Sequence, residues 1–232
     1  MIESQSHDRF NDAVAAHLPI AMEAQDALAA VADLGAAYTA DIEQARLVIA
    51  GIPLWVTLLG TVAKESNTWL WAWANPGFRP DLAAIAPTAG LRAVGESWQL
   101  WELASEGFSL AGIADTGLGA GSSVALVAAP LVGATAMYAA DYGAGVAYFG
   151  IRRESVPRPA TSPAQLERFL RRAADVFPGH ARAQILTYAQ VHDLRVLGQG
   201  SALQIHFPSG QSVTVDVDGA GRATAFRPAG QP

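Results

Sequence analysis

Apolar residues recur at three- and four-residue steps near the start of the chain: Phe10, Val14, His17 and Ala21, then Ala24, Leu28 and Val31. That spacing places an apolar stripe on a helix. Pro19 falls inside it. Proline lacks the amide hydrogen and crowds the preceding turn, so a break is expected near His17 to Pro19, with a second helix running to about Leu34. From Thr39 the period changes to two. DIEQARLVIAG (41–51) reads as a strand that Pro53 ends, LWVTLLGTV (54–62) as a second, and TWLWAWA (68–74) as a third after the turn-rich AKESN. Short connections between consecutive strands favour an antiparallel meander.

After NPGFRPD (75–81) the helical period returns. Leu91, Val94, Trp98, Trp101 and Phe108 can share a face there, with Glu96, Glu102 and Glu106 turned elsewhere. An Ala-rich stretch over residues 118–140 then reads as a buried helix, apolar all round, and GAGVAYFGIR (143–152) as a fourth strand.

RRESVPRPATSP is the clearest boundary, because Pro157, Pro159 and Pro163 make it extended and stiff. Beyond it Ser162 can cap a helix whose Leu166, Phe169, Leu170 and Ala173 form one face, stopped by Pro178 and Gly179. A second helix, HARAQILTYAQVH (180–192), precedes four alternating segments: LRVLGQG, ALQIHF, SVTVDV and RATAFR. The turns PSG and DGAG suit hairpins between them. The expected fold is therefore α+β in two units, each with helices packed on an antiparallel β-meander. The units are residues 1–152 and 164–232, with a Pro-rich linker over 153–163.

In NTWLWAWANP, tryptophan occupies every second position. On a strand, Trp69, Trp71 and Trp73 would line one face and Leu70, Ala72 and Ala74 the other. Both faces are apolar, so the strand is expected to be central and covered on each side, with its indoles in the core. The competing reading makes the indoles the floor of a ligand groove, since they offer flat area and an N–H donor. Asn75 before Pro76 reads as a strand-terminating turn.

The tract GTVAKESNTWLWAWANP resembles the signature of a bacterial family of uncharacterised proteins, in which a Gly-initiated strand leads into T-W-x-W-x-W-A-N. A helix and a short YFGI-like strand follow it in that family. Gly60, Thr68, Trp69, Trp71, Trp73, Ala74 and Asn75 match, and the resemblance spans roughly residues 36–151. It implies no established activity, cofactor or catalytic residue.

Composition then narrows the function. With 51% hydrophobic and 16% charged residues the chain is expected to fold around a core. A net charge of −6 argues against nucleic acid, which needs clustered Lys and Arg, and suits a basic partner. The chain has no cysteine, so disulfides, thiolate nucleophiles and Cys-ligated zinc are excluded. The start MIESQSHDRF carries acids where a secretion signal has basic residues, so a cytoplasmic protein is expected. Residues 118–140 lack charge and reach membrane-spanning length, but Pro130 and the absence of basic flanks weigh against a span.

Chemical motifs are sparse. GLGAGSS lacks the lysine of a phosphate loop and reads as a lead-in to a helix; DVDGAGRAT lacks the further acids of a calcium loop and reads as a hairpin turn. The histidines His7, His17, His180, His192 and His206 are scattered without metal spacing. His192 is expected to cap a helix end, and His206, alternating with Ile205 and Phe207, to face solvent. Glu96, Glu102 and Glu106 are the nearest approach to catalytic carboxylates, though a solvated helix face accounts for them.

The expectation is a non-catalytic binding protein with no cofactor and no metal, recognising a basic protein in the manner of an immunity protein. The alternative is a small-molecule pocket or an enzyme site on the Trp face. The residues that would carry binding are Trp69, Trp71, Trp73, Asn75, Trp98, Trp101 and Glu102.

Overall fold

In the computed structural model, which describes residues 6–198 and 200–228, the first helix α1 (Asp8–Ala29) runs through Pro19 without a break. Met1–Gln5, part of the acidic start noted above, and Gln199, inside LRVLGQG, lie outside the described residues. The expected break is corrected by burial. Pro19 removes a single bond, to the Ala15 carbonyl, while Phe10, Val14 and Leu28 are each 0% exposed. Each such buried side chain contributes ~1.5–3 kcal/mol, which offsets a proline cost of ~3 kcal/mol.

Contacts divide the chain into two units: Met1–Asn11 with Ala24–Arg158, and Asp12–Glu23 with Pro159–Pro232. Each combines helices with antiparallel strands, an α+β architecture.

The first unit is organised around the 12-residue strand β3 (Ile52–Ala63). Residues 41–51 do not form one strand. β1 (Tyr38–Asp41) and β2 (Arg46–Ile49) pair with each other across a turn, and a second turn at Ala50 and Gly51, both with positive φ, leads into β3. Pro53 does not end the strand either, but pairs with Val48 inside the β2–β3 ladder. Along β3 the amides of Val56 and Leu58 bond to Ala45 and Ala84, so the amide position of Pro53 points to the other side, where β7 pairing begins only at Val56.

The second half of β3 pairs with β4 (Thr68–Trp71), which pairs with β5 (Gly107–Ser109). On the opposite edge lies β7 (Gly145–Arg152), joined to β6 (Ala134–Asp141). The sheet is thus a meander extended by a hairpin returning to its middle strand. The Ala-rich segment is corrected: only α4 (Ala120–Leu131) is helical, and β6 follows Gly133, whose φ is +77°. Among the described residues no helix is long and apolar enough to cross a membrane. α4 packs closely because it presents Gly121, where a Cβ would collide with the Tyr148 hydroxyl. Burial raises the Tyr148 phenol pKa above its ordinary value.

The second unit holds α5 (Pro163–Val176), α6 (Ala181–Val191) and a four-stranded sheet ordered β11 (Ala223–Pro228), β10 (Ser212–Val217), β9 (Ala202–His206), β8 (Arg195–Leu197). Ser162 caps α5, its Oγ accepting from the Gln165 amide at 3.3 Å. Leu166, Phe169, Leu170 and Ala173 face the core with Ile205 and Val215. Two histidines carry more than their expected roles. His192 does stand at the C-cap of α6, and in addition its Nε2 meets Glu23 Oε2 at 2.6 Å with both side chains under 5% exposed. His206 points away from Leu203 and Ile205 yet is half-buried, and among the described residues its Nε2 has no hydrogen-bond partner.

Candidate functional site

The alternation along β4 aims Trp69 and Trp71 the same way, and both are core residues at 1% and 0% exposure. Their rings meet edge-on at 5.0 Å, Trp69 lies 5.2 Å from Tyr148, and the Trp71 Nε1–H donates to the Glu102 carbonyl at 2.8 Å. Gly60 on β3 accommodates the Trp69 indole, where a Cβ would stand 2.6 Å from the ring. The alternation stops at Trp71. Ala72–Ala74 form a 3-10 turn, so Trp73 leaves the shared face and is half-buried.

The remaining candidates separate. α2 (Leu91–Trp98) ends at Gln99, which has φ of +55°, and α3 (Trp101–Ala104) is a single turn with a new orientation. Trp98 is therefore 48% exposed rather than on a common face with Trp101. Glu102, expected outward, is 1% exposed, and its Oε1 pairs with His7 Nδ1 at 3.0 Å. The His7 ring stands 5.0 Å from Trp101 and 6.4 Å from Phe108. The aromatic and carboxylate residues on this side form a packed cluster.

A cavity of about 340 Å³ opens on the other side of the sheet. Consecutive residues of a strand point oppositely, so Tyr148 faces the indoles while Phe149 and Ala147 line the cavity. Leu58 and Thr61 of β3 and Ala140 of β6 complete this wall. The opposite wall is β1, whose Tyr38, Ala40 and following Ile42 reach over the sheet. Tyr38 closes it: its ring meets Tyr138 edge-on at 5.7 Å, and its hydroxyl donates to the Asp141 carbonyl at 2.5 Å.

Asn75, Phe78 and Tyr142 supply the rest of the lining. Asn75 alone among the sequence-derived site residues lies here. No lining residue is charged. The ion pair of Lys64 with Asp141 at 2.7 Å, next in sequence to the lining residues Ala140 and Tyr142, is exposed, and the lysine hydrogen bond holds the Asp141 carboxyl below its usual range. The size and apolar lining match a site for a small organic molecule. Tyr38, Phe78 and Phe149 gave no signal in sequence, because aromatic residues at such distant positions read as ordinary core.

A model of the family of unknown function DUF6882 matches residues 11–153. The chain belongs to this family. The DUF6882 match ends just after β7, so it takes in every residue lining the cavity and leaves α5 to β11 outside. No curated protein and no solved structure matches the chain.

Proposed function

We propose that the DUF6882 region is a non-catalytic binding module that holds a small, largely apolar molecule between β1 and the β3–β7–β6 sheet. The observation that carries it is the 340 Å³ cavity, walled by Tyr38, Phe78 and Phe149 and free of charged lining residues. An uncharged, largely aromatic wall supplies contact area, and its hydroxyls on Tyr38, Thr61 and Tyr142 have no histidine or carboxylate beside them in the lining to activate them. The proposed ligand site lies on the face of the sheet opposite to Trp69 and Trp71.

Titration with aminoanthracene, a neutral fluorescent dye of suitable size, tests this reading. Saturable one-to-one enhancement is expected, and Ala147→Leu, which adds carbon into the cavity, should abolish it. No saturable binding, or binding that Ala147→Leu leaves unchanged, overturns the proposal.

A second reading, recognition of a basic protein by a bacterial cytoplasmic protein acting like an immunity protein, is supported by the net charge of −6 and by Trp55, 51% exposed beside Ile52 at 39%. Affinity capture from the native host that returns no stoichiometric partner would count against it. In both readings the T-W-x-W-x-W-A-N tract is taken as a family signature with a structural role, supported by the fit of Trp69 over Gly60.

A further inference from the structure

Two polar groups of the cavity, on Asn75 and Tyr38, have their hydrogen-bonding roles fixed, while the hydroxyls of Thr61 and Tyr142, which can donate or accept, line it as well. Asn75 follows the 3-10 turn Ala72–Ala74, and its Oδ1 accepts from the Gly77 amide at 2.9 Å. A backbone N–H can only donate, so the oxygen is held on that side and the NH2 group supplies the side chain's donors. Among the described residues that Nδ2 has no hydrogen-bond partner. Tyr38 is the converse case. Its one hydroxyl hydrogen is committed to the Asp141 carbonyl, so toward the cavity it offers lone pairs alone. Lys64 is engaged by both oxygens of Asp141, the residue between the lining residues Ala140 and Tyr142, at 2.8 and 2.7 Å.

Resting on the cavity reading above, we infer that the bound molecule is neutral and carries a carbonyl oxygen, and that Asn75 is the specificity-determining residue that donates to it. A hydrocarbon of the same shape would cover the Asn75 amide without satisfying it, which forfeits the group's hydration. A carboxylate would lose part of its water against an uncharged aromatic lining that offers no cation in exchange. A ketone, ester or amide oxygen accepts from Nδ2 and leaves its carbon skeleton against Phe78 and Phe149.

Displacement of aminoanthracene by three ligands on one skeleton, acetylnaphthalene, ethylnaphthalene and naphthoate, tests the inference. The ketone should displace the dye roughly tenfold more effectively than either of the others, the size expected for one buried hydrogen bond. Asn75→Asp retains an acceptor for the Gly77 amide and removes the donors, so dye binding should persist while the advantage of the ketone over the hydrocarbon falls to near unity. Asn75→Leu should do the same without adding charge. If the dye binds and Ala147→Leu blocks it, yet the ketone and hydrocarbon displace equally in the unaltered protein, Asn75 recognition is overturned and the cavity reading stands. A ketone preference that survives both substitutions overturns it equally, and failure of the dye to bind overturns both.

Discussion

The Tyr38 hydroxyl and the Asp141 carbonyl are 103 residues apart in the chain and 2.5 Å apart in space. β1 has no backbone ladder to β6, so this bond and the edge-on contact of Tyr38 with Tyr138 tie the two cavity walls together. Tyr38→Phe keeps the ring and removes the hydrogen bond. The expected loss is ~0.5–1.5 kcal/mol of unfolding free energy, with faster release of aminoanthracene in stopped-flow displacement. An unchanged release rate would show that Tyr38 does not hold the wall closed.

Trp71 and Trp98 are both tryptophans on the DUF6882 scaffold, but their surroundings differ. Trp71 is fully buried and donates to the Glu102 carbonyl, whereas Trp98 is 48% exposed. Trp71→Ala should cost ~3–5 kcal/mol by opening a large cavity and orphaning a carbonyl. Trp98→Ala should change stability by no more than ~0.5 kcal/mol. Urea unfolding curves of the two variants decide the point, and comparable losses would contradict the burial argument.

Much of this arrangement was legible along the chain, and the rest shows where local pattern gives out. Two-residue alternation correctly placed Trp69 and Trp71 inside, because a strand covered on both faces has few other ways to bury indoles. The same alternation continued on paper through Trp73, where a 3-10 turn replaces the strand. Small apolar residues from 118 to 140 carry no periodicity, so nothing local marked Gly133 as the junction between α4 and β6. Glu102 departs from its expected outward direction for a different reason. Its inward direction depends on the left-handed Gln99 re-aiming the next turn and on a partner, His7, 95 positions away. The cavity likewise depends on β1 reaching β6, a relation of topology that spacing does not encode. Asn75 before Pro76 reads as a turn residue, and that turn is what orients its amide.

Glu23 anchors a buried polar network in the second unit. Its Oε1 accepts from the Tyr188 hydroxyl at 2.7 Å, its Oε2 meets His192 Nε2 at 2.6 Å, and the Tyr188 oxygen lies 2.6 Å from Thr161 Oγ1. Burial raises the Tyr188 phenol far above its ordinary pKa, so it stays a donor at any working pH. Glu23→Ala would leave a phenol and an imidazole without their shared acceptor in the core, with an expected cost of ~3–5 kcal/mol. Tyr188→Phe removes one bond to the carboxylate and should cost less, ~1.5–3 kcal/mol. Equilibrium denaturation that ranks the two variants the other way would remove Glu23 from the centre of the network.

His17 gives a pH dependence whose sign follows from its surroundings. Its Nδ1 lies 2.8 Å from the Ala13 carbonyl, and because a carbonyl can only accept, Nδ1 carries the hydrogen. Burial disfavours the imidazolium and depresses its pKa below the ordinary 6.5, an effect that the bond to Ala13 only partly opposes. The unfolded chain therefore binds a proton at His17 before the folded one does. Stability from this group is complete above pH 6.5 and declines as pH falls from there toward the depressed folded value. In His17→Gln, which does not titrate, that decline should be shallower, so the stability difference between the proteins should shift against the unaltered one between pH 7 and pH 5. Parallel thermal melts across that range test the sign, and a difference that is flat or runs the opposite way would mean that His17 is charged and accommodated in the folded state.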